Sequence, residues 1–103
     1  MVMKLHEAET LLARALASIE TSEEAMALVL DLMTPREVVE LARRLEVARL
    51  LEEGVPYKGV SSLTGASSTI VSRVSKCLRD GSGGYELVLA RLAETGTGDG
   101  PSD

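Results

Sequence analysis

Between Ser67 and Lys76 the sequence places short hydroxyls and cations at helical spacing: Ser68, Thr69, Ser72, Arg73 and Lys76. On a helix that turns Val71 and Val74 inward, these five remain outside, and such groups suit base edges and phosphates in a major groove. Ser67 stands where an N-cap belongs, and it directs the positive end of that helix toward phosphate. Lys58, a few residues ahead, adds a further cation to the same window. Other chemistries lack their residues. His6 is the single histidine, with no Cys, His or clustered carboxylate at ligand spacing, so no metal site is expected. It completes no nucleophile–base pair, and no paired carboxylates sit in a pocket-building context, so no catalytic residue is assigned and no enzyme is expected. The Gly81–Gly84 run (GSGG) follows a helix rather than a strand and reads as a stop and hinge, not a phosphate cradle. Cys77, the one cysteine, excludes an intramolecular disulfide and has no resolving cysteine within the chain for a redox switch.

A reading helix needs a second helix crossing it steeply, joined by a tight turn that a left-handed Gly supplies. Gly65 occupies that turn, within Thr64-Gly65-Ala66, and the pair is predicted over about 57–63 and 67–79. Val60, Ala66, Val71 and Val74 take the apolar points that dock one helix on the other, and Ser61 is small where they come closest. Gly59, inside the first of the two, costs about 1 kcal/mol relative to Ala. Ahead of the pair, Leu5, Ala8, Leu12, Ala15 and Ile19 repeat at three- and four-residue steps, which predicts a helix from Met3 to Ser18. Thr21 with Glu24 resembles a capping box that starts a second helix, apolar nearly all round from Ala25 to Leu32. Thr34-Pro35-Arg36-Glu37 starts a third, running to about Glu53 with Val38, Leu41, Ala42, Leu45, Val47, Ala48, Leu50 and Leu51 inward. A final helix is predicted near Tyr85–Glu94. The expected architecture is therefore all-α, with about six helices in one domain over 1–94 and a small, polar, Gly-rich disordered tail over 95–103.

Composition bounds the partners. Of 103 residues, 45% are hydrophobic but only 2% aromatic, so the core rests on Leu, Val, Ile, Met and Ala. A chain this small leaves apolar helix faces uncovered, natural surface for a dimer. The net charge of −5 argues at first against nucleic acid. Its distribution argues otherwise: residues 55–80 hold four basic side chains (Lys58, Arg73, Lys76, Arg79) and one acidic, a local +3. The local field matters more than the sum. No apolar run approaches the ~20 residues of a membrane span and no signal-peptide core is present, so a cytoplasmic protein is expected, with no membrane partner.

Leu41-Ala42-Arg43-Arg44-Leu45-Glu46-Val47-Ala48, Thr64-Gly65-Ala66-Ser67 through Ser72-Arg73-Val74, Cys77-Leu78 and Gly83-Gly84-Tyr85 together resemble the YerC/YecD group of Trp-repressor-like proteins. The resemblance covers about residues 5–92. It implies an intertwined homodimer that binds double-stranded DNA sequence-specifically through the second helix of the pair, as a transcriptional repressor. In the Trp repressor proper two arginines and a serine help hold a tryptophan corepressor. The matching positions are Arg44, Arg73 and Cys77, so the resemblance implies these three as an effector site. A thiol is a weaker hydrogen-bond partner than a hydroxyl, which points away from tryptophan itself. No resident cofactor is expected, and a small-molecule corepressor such as an amino acid is the one ligand class implied. The competing expectation is a helical protein-interaction module that keeps the helix-turn-helix shape without reading DNA, favoured by overall acidity and the serine-heavy face.

Overall fold

Each helix of the chain begins where a local signal frees it from its neighbour. The computed structural model describes residues 2–99, with side chains described through Thr95. It comprises six α-helices: α1 (Leu5–Ala17), α2 (Ser22–Leu32), α3 (Pro35–Glu52), α4 (Tyr57–Thr64), α5 (Ser68–Asp80) and α6 (Gly84–Asp99), with no strand among the described residues. At the start of α3, the Glu37 N–H donates to Thr34 Oγ1 (3.2 Å) and the Thr34 N–H donates to Glu37 Oε1 (2.9 Å), so two otherwise orphaned donors are satisfied. At α2, Thr21 Oγ1 accepts from the Glu24 N–H at 3.1 Å. The Glu24 carboxylate accepts one residue further back than a capping box would place it, from the Glu20 N–H at 2.9 Å.

The chain divides into two units, Met1–Val38 and Val39–Asp103. The first holds α1, α2 and the first residues of α3, and neither α1 nor α2 contains a buried residue. Leu5, Leu11, Leu12 and Leu16 of α1 and Met26, Leu30 and Leu32 of α2 are all at least half exposed. The second unit holds the core: Val47, Ala48 and Leu50 of α3, Val60 of α4, Ala66 of the turn, and Val71 and Val74 of α5. Leu51, Val55, Ile70, Leu78, Tyr85 and Leu89 pack around it, half-buried.

Two expectations from the sequence meet a different arrangement. The apolar stripe of α3 is buried only in its C-terminal half, whereas Leu41, Ala42 and Leu45 are exposed. Periodicity marks which side of a helix is apolar, but burial also needs an element to cover it, and α4 and α5 supply cover only around Val47–Leu51. The last helix does not stop at Glu94 but continues as α6 to Asp99. Within it the Thr95 hydroxyl donates to the Arg91 carbonyl at 3.2 Å, a bond back to the preceding turn. Of the tail expected over 95–103, residues 100–103 lie outside the described residues. No helix is long and apolar enough to cross a membrane among the described residues.

Candidate nucleic-acid interface

The α4–α5 pair is assembled around four residues of the turn. Gly65 adopts φ +76°, a left-handed conformation costly for a residue with a Cβ, and its N–H donates to the Ser61 carbonyl at 2.9 Å. Thr64 braces the turn from both sides: its hydroxyl donates to the Val60 carbonyl (2.7 Å) and accepts from the Ala66 N–H (3.1 Å). Ser67 caps α5, its Oγ accepting from the Ile70 N–H at 3.2 Å. Val60, Ala66, Val71 and Val74 are buried between the helices, as their spacing predicts. Gly59 is no weak point without purpose. A Cβ there would lie 3.0 Å from Val55 Cγ1, so the missing side chain lets α4 sit close to the preceding segment.

With those positions inward, Ser68, Thr69, Ser72, Arg73 and Lys76 are all exposed on α5, and Lys58 is exposed on α4. At 3.6 residues per turn they resolve into two adjacent rows. Ser68, Ser72, Ser75 and Arg79 follow at steps of four, three and four; Thr69, Arg73 and Lys76 lie beside them at steps of four and three.

Two arginines of α3 are paired with carboxylates on their own helix, whereas Arg44 of α3 and Arg91 of α6 have no ion pair among the described residues. On α3, Arg43 lies 3.7 Å from Glu40, and Arg49 is bonded to Glu46 and, at 2.6 Å, to Glu53. The Arg49 bond holds the Glu46 carboxyl below its ordinary range. Among the described residues no ion pair engages Lys58, Arg73, Lys76 or Arg79.

Sequence reasoning assigned no role to one network. The Tyr57 hydroxyl donates to Ser75 Oγ at 2.5 Å, and Arg79 Nη1 donates to the same oxygen at 2.9 Å. The serine row was the available signal, because Ser75 and Arg79 extend the Ser68–Ser72 line by two further steps.

The three residues implied as an effector site are not gathered into one cavity. Cys77 lines a cavity of about 520 Å³ with Leu45, Tyr85, Val88 and the Gly81–Gly84 turn. Neither Arg44 nor Arg73 is among its lining residues, and Arg73 is exposed. Arg44 is nevertheless near. Burial raises the Tyr85 phenol above its ordinary range, Cys77 adds to this, and the Arg44 charge pulls it back. Arg44 Nε is buried without a hydrogen-bond partner. Among the described residues no group of His, Cys, Asp and Glu is arranged to hold a metal ion.

An all-helical chain with a tight Gly-centred helical pair and an unneutralised basic face has the make-up of a helix-turn-helix regulator. The Trp repressor protein family matches residues 7–93, and the chain belongs to that family. It is 43% identical over 86 residues to the uncharacterized protein YerC of Bacillus subtilis (strain 168), covering 84% of this chain and 83% of that protein. It is also similar to the crystal structure of a TrpR-like protein from Eubacterium eligens ATCC 27750, at 36% identity and a TM-score of 0.74. That match covers 84% of this chain and 89% of the other. Transcription regulation and DNA binding fit this family.

Proposed function

We propose that the chain is a sequence-specific repressor that binds a palindromic operator as an intertwined homodimer, with α5 in the major groove. The observation that carries this reading is the set of exposed cations that α4 and α5 bring together, Lys58, Arg73, Lys76 and Arg79, none with a carboxylate partner among the described residues. Ser68, Thr69 and Ser72 lie at the N-terminal end of α5, where a reading helix meets base edges, and Arg73 and Lys76 take phosphate or guanine contacts. The dimer is supported by the apolar residues that α1 and α2 leave exposed, each contributing about 1.5–3 kcal/mol if fully buried against a second copy. Two copies of the basic face would then meet half-sites about 34 Å apart or a multiple of that spacing.

The test is enrichment of genomic fragments by the purified protein at two salt concentrations without added ligand. A recurring palindrome retained at physiological salt supports the reading. No enrichment at either salt turns the balance to the protein-interaction module, whose apolar contacts respond little to salt. Arg73→Ala is expected to weaken binding to the enriched operator by about 1–3 kcal/mol, and unchanged affinity would remove α5 from the contact face.

Corepressor control is the finer part of the same proposal, and the cavity beside Cys77 favours it. An apolar amino acid seated there would brace α5 against α6 and bring a carboxylate toward Arg44. Thermal melting with single amino acids checks this: the effective one raises the midpoint of the wild type and not that of Cys77→Trp, whose indole fills the space.

A further inference from the structure

The Tyr57–Ser75–Arg79 network joins the first residue of α4 to the far half of α5, and its place on the helix says what it holds ready. Arg79 lies eleven residues beyond Ser68 on the same row, roughly 16 Å along the axis. A major groove is only about 12 Å wide. When the N-terminal end of a reading helix is against base edges, a side chain that far along has left the groove floor and stands at the backbone.

The chemistry at that point is suited to an anion. Ser75 Oγ accepts from both Tyr57 and Arg79, so its own proton is free to be donated outward. Arg79 uses one guanidinium nitrogen on Ser75 and retains further N–H donors and its whole charge, since no carboxylate pairs with it among the described residues. A guanidinium already restrained loses less side-chain freedom on binding than a free one. We propose that Arg79, positioned by Tyr57 through Ser75, grips a backbone phosphate of bound DNA at the distal end of α5. Tyr57 is a positioning residue here: its hydroxyl fixes Ser75 and thereby the angle from which Arg79 approaches. The inference rests on the DNA-reading function and names a contact that reading does not contain.

Binding of the full-length protein is measured against two duplexes, one selected from random sequence by the wild type and one of mixed sequence, over a range of salt. Arg79→Ala is expected to lower affinity about tenfold on both and to reduce the salt slope by about one, because a phosphate contact carries no sequence information. Arg79→Lys, which keeps the charge, recovers the slope and part of the affinity. Tyr57→Phe is expected to lower affinity about threefold in the wild type and to have no effect in the Arg79→Ala background, the non-additivity expected of residues that act through one another. Thermal melting of each variant in the absence of DNA keeps a folding defect from passing for a lost contact. An unchanged salt slope for Arg79→Ala while Arg73→Ala still weakens binding overturns the phosphate contact and leaves the DNA reading standing. Additive losses for Tyr57→Phe overturn the positioning role. A wild type that binds neither duplex overturns both the contact and the function it rests on.

Discussion

In the first unit, Met1–Val38, α1 and α2 begin with side-chain hydrogen bonds and carry well-formed apolar stripes, yet neither contains a buried residue. In the second, Val39–Asp103, the short helices α4 and α5 bury Val60, Val71 and Val74 almost completely. The comparison separates two requirements that are easily merged. A cap and an apolar stripe decide where a helix starts and which side of it prefers to leave water, and both are local. A core needs several such sides to converge, and in the described residues that happens only around the tight pair and the end of α3. The helical pair thus has its core complete within one chain, while the leucine-rich helices α1 and α2 have apolar sides that the chain leaves exposed. On the proposed reading, the second copy covers them.

Four variants sharpen or break this contrast, from the largest effect down. Val71→Asp places a charge at a position with no exposed surface and is expected to cost about 4 kcal/mol, seen as loss of the cooperative melting transition. Mild destabilisation only would mean that the second unit is less closely packed than its burial indicates. Leu12→Glu combined with Leu16→Glu removes two exposed apolar side chains from α1. It is expected to weaken self-association by about 3 kcal/mol and to give a monomer in sedimentation equilibrium. A dimer that survives intact would place the interface elsewhere. Thr34→Ala removes the cap of α3 and is expected to cost about 1 kcal/mol in denaturant unfolding, since the Glu37 N–H loses its acceptor.

The smallest effect concerns Glu46, whose carboxyl is held below its ordinary value of 4.5 by the hydrogen bond with Arg49. A carboxyl with a lowered value stabilises the fold above pH 4.5, and that contribution is lost as the pH falls through the lowered value. Both side chains are about half exposed, so solvent screening leaves only a few tenths of a kcal/mol. Glu46→Gln should reduce stability by that amount at neutral pH and flatten the acid limb of the stability profile. A drop above 1 kcal/mol would show that Glu46 does more than pair with Arg49.

The site was legible to the extent that it is built from neighbours in sequence. Gly65, the four apolar docking positions and the Ser67 cap are visible because turn geometry and helical spacing leave few other uses for those residues. The outward face of α5 follows by subtraction. Tyr57 was not legible, because its partner Ser75 is 18 residues away and no local pattern joins them. Thr64 reads as an ordinary turn residue, although its hydroxyl bonds the carbonyl and the N–H on either side of the bend. The effector residues divide in the same way: a motif can align Arg44, Arg73 and Cys77, but only packing shows which of them lines the cavity beside Tyr85.

By itself the sequence determined the number, order and starting points of the six helices, the left-handed turn at Gly65 and the concentration of positive charge over residues 55–80. These follow from backbone sterics, side-chain capping and composition, which act within a few residues. Tertiary structure alone decided that α3 buries Val47, Ala48 and Leu50 but not Leu41 or Leu45, which cations have carboxylate partners, and that Tyr57 reaches Arg79 through Ser75. Each of these depends on distances between residues far apart in the chain, and a short-range pattern carries no information about such distances.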